Sequence, residues 1–115
     1  MKIKNIKLFT IPAGWREWSF IKIETNKEIF GWSECTDTFQ NKNGFCGILE
    51  DFKELIINED PLNVKRILWK LHTKSKSNPG SLVQRVISAI ENALWDIVGK
   101  NTSKPVCELF DKKIL

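Results

Sequence analysis

Residues 81–99 read SLVQRVISAIENALWDIVG, and their spacing decides the fold. Val83, Val86, Ile87, Ile90, Leu94, Ile97 and Val98 recur at intervals of three and four, which lines them along one face of a helix. Ser81 is placed to accept the free amide hydrogens of a first turn, and Gly99 is the expected stop. A helix with so broad an apolar face needs a second layer of structure to cover it.

That layer is legible further upstream. Phe45, Ile48, Leu49, Phe52, Leu55 and Ile56 repeat at the same helical spacing. Asp60-Pro61 predicts the start of another helix running to about His72, because Asp can cap free amides and Pro has no donor to orphan. Earlier still, Lys2–Ile11, Phe20–Thr25 and Ile29–Cys35 read as strands. Ile21 and Ile23 fall on one face of the second with Lys22 and Glu24 on the other. In the third, Phe30 and Trp32 share a face while Gly31 and Ser33 leave room on the opposite one. Short connections make the strands antiparallel. Pro12–Ser19 and Thr36–Gly44 are expected to be loops, and Pro105–Phe110 a last short helix offering Val106, Leu109 and Phe110 to the core. Strands first and helices after predict an α+β fold in one domain spanning residues 1–115: a three-stranded antiparallel sheet followed by a helical bundle.

The composition agrees. With 42% hydrophobic residues, 28% charged and five Trp among 115 residues, the chain is that of a folded domain and not of a disordered one. It holds no apolar run of the roughly 20 residues that a membrane-spanning helix needs, and MKIKNIKLF has no signal-peptide pattern. Cys35, Cys46 and Cys107 are odd in number and widely spaced, which suits reduced thiols and predicts a cytoplasmic protein. The Lys and Arg behind the net charge of +4 are spread along the chain among Glu and Asp, apart from the short run Lys74 to Lys76, so neither nucleic acid nor membrane is an expected partner.

Chemistry has little local support. There is no CxxC pair, HExxH, GxGxxG, P-loop or nucleophile elbow. His72 falls at the spacing of Leu68 and Leu71, as a structural imidazole would. Asp96, between Trp95 and Ile97, is expected to pair with a backbone donor or a cation. No catalytic residue and no metal ligand is predicted in this chain.

SAIENALWDIVGK (88–100) followed by PVCEL (105–109) resembles the helical end of the N-terminal domain of the mandelate racemase and muconate lactonizing enzyme family, within the enolase superfamily. The opening KIKNIKLFTIP, the hairpin FIKIETNKEIFGWSE (20–34) and EDPLN (59–63) agree with it in order and spacing. The resemblance covers nearly the whole chain and implies a cap that closes over the active end of a (β/α) barrel. In such enzymes the barrel supplies magnesium and Lys or His bases that abstract a proton next to a carboxylate. A barrel takes about 250 residues, so this chain is expected to end before it. Asp111-Lys112 also stands where the family has paired glycines.

The resemblance therefore implies a capping and substrate-specificity domain of an acid-sugar or hydroxy-acid dehydratase, with racemase or epimerase activity as the nearest alternative. The chain alone is expected to be inactive, to bind no cofactor, and to need a barrel domain or matching subunit as partner. A non-catalytic remnant that self-associates or binds a partner is the second reading. Surface meant for a barrel would be exposed, so a homo-oligomer is expected under either. In the family, the loops after the first and third strands reach the distal part of the substrate. Trp15, Arg16 and Trp18 of the first, and Thr36, Asp37 and Thr38 of the second, are the candidate substrate-binding residues. Indoles stack on sugars, and a guanidinium fork suits a carboxylate or vicinal hydroxyls.

Overall fold

The computed structural model describes residues 1–35 and 42–110. Three strands, β1 (Ile3–Ala13), β2 (Arg16–Thr25) and β3 (Phe30–Glu34), form an antiparallel sheet in chain order. Three helices follow, α1 (Lys42–Ile56), α2 (Val64–Lys74) and α3 (Ser81–Thr102), with a 3-10 turn at Val106–Leu109. The α+β order expected from the sequence is the order found.

The register shows which face of the sheet is the core. Ile6 pairs with Ile23 and Leu8 with Ile21, while Ile23 and Ile21 pair across to Gly31 and Ser33. All of these except half-buried Leu8 are buried, and α3 lies on them with Val86, Ile90, Ala93, Leu94 and Ile97 wholly out of solvent. Phe45, Leu49, Phe52 and Ile56 of α1, with Val64, Ile67 and Leu71 of α2, complete one continuous core. Each fully buried Ile or Leu contributes on the order of 1.5–3 kcal/mol. The outer face of the sheet is different: Phe9, Ile11, Trp18 and Trp32 are between 40% and 51% exposed.

The free edge of β3 is closed by side chains from α3. Asp96 Oδ2 accepts from the Trp32 amide at 2.9 Å and from Lys100 Nζ at 2.7 Å, and Lys100 Nζ also donates to the Phe30 carbonyl at 2.7 Å. Asp96 thus has both a backbone donor and a cation, which protects an edge that would otherwise offer unpaired amides. Replacing Asp96 with Ala should cost about 2 kcal/mol, as loss of a hydrogen bond to a charged group does. Urea unfolding checks it; an unchanged midpoint would mean that water takes over both bonds.

Helix ends depart from expectation in three places. Asp60 does not cap α2: its Oδ1 accepts from the Leu62 amide at 2.9 Å within a turn around the buried Pro61, and Asn63 Oδ1 accepts from the Arg66 amide instead. The helix therefore starts at Val64, not Pro61. Gly80, not Ser81, is the N-cap of α3, with no side-chain bond. Gly99 does not stop α3, which continues to Thr102 and ends on Ser103 in the left-handed region at φ 57°. Gly99 serves close approach, since a Cβ there would lie 2.9 Å from the Lys104 carbonyl oxygen.

The final segment gives less to the core than its sequence suggests. The 3-10 turn buries no residue fully. Val106 and Leu109 are half-buried, and Phe110 is 45% exposed, edge-on to the Trp95 ring at 4.9 Å. Across the fold, Ile3 exchanges backbone bonds with Glu59 and Asn58, tying β1 to the α1–α2 connection. Glu59 in turn meets Lys70 at 3.0 Å and Arg66 at 3.2 Å, and these bonds hold its carboxyl below its ordinary range. No helix among the described residues is long and apolar enough to cross a membrane.

Candidate substrate-facing arm and cleft

Pro12–Ser19 is not a loop. The β1–β2 ladder runs on through Thr10↔Ser19, Ile11↔Trp18 and Pro12↔Glu17 to Ala13↔Arg16, closing with Gly14-Trp15 as a two-residue turn. Gly14 has φ +71°, while Trp15 is not among the positive-φ residues. A two-residue hairpin with glycine at its first central position is the arrangement whose twist suits the strands. Because β3 pairs only with Phe20–Glu24, the ribbon beyond Phe20 projects past the sheet as a two-stranded arm.

The arm's tip holds two of the candidate residues together. Trp15 is 84% exposed, and the Arg16 guanidinium lies over its ring, 5.0 Å from the centroid. Stacking of this kind keeps the guanidinium's hydrogen-bonding edge available. Glu17 turns to Lys42 at 3.8 Å, joining the arm to the start of α1. Trp18 stands opposite Ile11 on the outer face of the ribbon and is 45% exposed. Thr36, Asp37 and Thr38 lie outside the described residues.

Arg16 also lines a cleft of about 480 Å³ between the arm, the end of β3, α1 and the first half of α3. Phe45 and Ala89 give it apolar wall. Glu34, Gln84, Arg85, Ser88 and Asn92 give it donors and acceptors. The α3 residues were not foreseen from the sequence, although Gln84, Ser88 and Asn92 form an uncharged polar stripe at four-residue spacing. Two guanidiniums against the single carboxylate of Glu34 leave the cleft net cationic, and with three neutral polar groups this suits a hydroxylated anion. Cys35 also lines the cleft, where burial pushes its thiol up to about 12, with Arg85 opposing and Glu34 adding, which disfavours the thiolate. Among the described residues no three His, Cys, Asp or Glu side chains converge to hold a metal ion. The donor set for magnesium chemistry is not found there.

The sequence profile of the mandelate racemase / muconate lactonizing enzyme N-terminal domain matches residues 8–110. D-galactonate dehydratase of Variovorax paradoxus is 29% identical over 99% of this chain, and that of Pectobacterium atrosepticum is 31% identical over 95%. This chain spans 29% and 28% of their lengths. Among solved structures, an enolase from Pantoea ananatis with D-gluconate and magnesium bound superposes with a TM-score of 0.84 at 28% identity, over 93% of this chain and 26% of that one. The 3,6-anhydro-D-galactonate cycloisomerase from Zobellia galactanivorans gives 0.84 at 25% identity, over 95% and 31%. The three-stranded sheet, the helices on its inner face and the profile match together identify the chain as an N-terminal domain of the mandelate racemase/muconate lactonizing enzyme family.

Proposed function

We propose that this chain is the capping and substrate-specificity domain of a magnesium-dependent acid-sugar dehydratase, acting in the cytoplasm on a barrel domain or matching subunit that carries the catalytic groups. The projecting arm, with Arg16 stacked on Trp15 beside a cleft lined by a second guanidinium, is the observation that carries this reading. On this reading the cation and indole of the arm, with the polar groups of the cleft, would hold the far end of a polyhydroxylated carboxylate. The D-galactonate dehydratase relatives support that reaction, while the bases that decide between it and racemisation or epimerisation would stand on the barrel. When bound to the barrel, magnesium would stabilise the negative charge that develops on the substrate carboxylate. The residues of this chain would orient the substrate and exclude water.

The purified chain is expected to turn over no aldonate or aldarate with magnesium, and to support turnover once supplied with a matching barrel. Dehydration by the 115-residue chain alone, undiminished by further purification, would overturn this assignment. A second reading, a non-catalytic domain that binds a partner or itself, draws on the outer sheet face. There Phe9, Ile11, Trp18 and Trp32 expose apolar surface that single soluble domains seldom leave open. Under the capping reading a barrel or neighbouring subunit covers that face.

A further inference from the structure

The exposed side of α3 differs from that of its neighbours. α1 and α2 put Glu50, Asp51, Glu54, Lys65, Arg66 and Lys74 at exposed positions, the ordinary make-up of a solvated helix face. Between Ser81 and Asn92, α3 exposes Ser81, Gln84, Ser88 and Asn92, and all four are uncharged. Their polar groups are also unspent. Ser75 and Thr102, at the ends of their helices, turn back on the backbone: Ser75 Oγ donates to the Leu71 carbonyl at 2.8 Å and Thr102 Oγ1 to that of Val98 at 2.9 Å. Ser88 makes no such bond, and the side chains of Gln84 and Asn92 have no hydrogen-bond partner among the described residues.

Gln84, Ser88 and Asn92 line the same cleft as Arg16, with nearly buried Phe45 and Ala89 giving apolar surface beside them. Its volume of about 480 Å³ is that of a small-molecule site. Neighbours four apart on a helix stand about 5–6 Å from each other, so Ser88 and Asn92 can bond one molecule together. The chemistry of the two sides is complementary. A guanidinium only donates and suits an anionic end, whereas a serine hydroxyl and a carboxamide both donate and accept, as a sugar hydroxyl does.

We infer that Ser88 and Asn92 are specificity-determining residues that hydrogen-bond the distal hydroxyls of an acid sugar, so that the cap selects its substrate through α3 as well as through the arm. The inference rests on the capping reading above and adds to it a second, uncharged point of recognition. Closing the cap on a barrel takes water out of the cleft. A substrate that lacks the matching hydroxyl then leaves Ser88 or Asn92 unpaired, and that loss is what discriminates against it. The selected class is the acid hydroxylated at its distal carbons, over the same acid deoxygenated there.

The test joins the full chain to a matching barrel and compares kcat/KM on D-galactonate with that on its 5-deoxy and 6-deoxy analogues. The parent is expected to prefer D-galactonate to at least one analogue by about tenfold or more. Ser88→Ala and Asn92→Leu should each lose about three- to tenfold on D-galactonate and little on that analogue, so that the preference shrinks. Ser81→Ala, on the same helix outside the cleft, should leave both rates as they are. The replaced residues are exposed, so circular dichroism should show the fold intact. A complex that dehydrates acid sugars while both cleft variants keep the parent's preference would overturn this inference and leave the capping reading standing. Equal losses on D-galactonate and the analogues would overturn it too, and would assign the α3 stripe to contact with the barrel. A complex that turns over no acid sugar would overturn both.

Discussion

Gly31→Ala is expected to lower stability by about 3 kcal/mol, the upper end of what one inserted methyl group costs in a packed interior. The reason is not backbone freedom, since Gly31 has no positive φ. It is the crossing of β3 over α3. A Cβ at residue 31 would fall on the carbonyl oxygen of Ala93 and lie 2.7 Å from Cγ1 of Ile97. Ala93 sits mid-helix with no exposed surface, so the obstacle is backbone held by its own helical bonds and cannot swing aside. The sheet and α3 must separate, which loosens Ile21, Ile23, Leu94 and Ile97 together. Gly47→Ala supplies the contrast. Nothing lies within 4 Å of a Cβ there, and alanine in a helix interior is favoured over glycine by roughly 0.8–1 kcal/mol. Denaturant unfolding should move the two variants in opposite directions. A loss below about 1 kcal/mol for Gly31→Ala would mean that the sheet and α3 are less closely packed than the structure shows.

The same crossing explains what could be read in advance. Each helix announced itself because its core-facing residues must recur every three or four positions to be buried, and the strands because Ile21 and Ile23 must alternate with Lys22 and Glu24. The apolar pattern carries no such information about ends. Asp60 and Asn63 are both competent caps, and the buried Pro61 turn settled the choice in favour of Asn63. Gly99 looked like a terminator because a helix-breaking residue and a residue needed for close approach are the same residue in a sequence. Pro12 looked like the end of a strand, yet a tight turn at Gly14 let pairing continue on both sides of it. The cleft was the least legible. Arg16, Glu34, Phe45 and Arg85 are distant in the chain, and only the antiparallel run of α3 along β3 brings them to one end.

Joined to a matching barrel, the Arg16→Ala variant is expected to lose about 10- to 100-fold in kcat/KM on acid sugars long enough to reach the arm. That is the equivalent of about 1.5–3 kcal/mol for one hydrogen-bonded charge. Short hydroxy acids that end before the arm should lose much less, and the difference between the two substrate classes is the signature of a specificity role. Arg16→Lys should recover part of the loss on charge alone, but not the planar, two-point recognition of a carboxylate or vicinal hydroxyls. Trp15→Ala should act in the same direction and more weakly, about three- to tenfold, because the indole steadies the guanidinium it stacks on instead of bonding to the substrate through a charge. Trp18→Ala is the internal comparison. It removes an indole from the same arm, on the outer face opposite Ile11, without opening the cleft lined by Arg16. Since the tip is exposed and Trp15 makes little core contact, all these variants should keep the stability of the parent. Stability is measured alongside activity to separate a lost contact from a lost fold. Equal losses on long and short substrates would show that the arm acts by positioning the cap and not by reading the substrate. Unchanged kcat/KM and unchanged preference in Arg16→Ala would remove Arg16 from the site altogether.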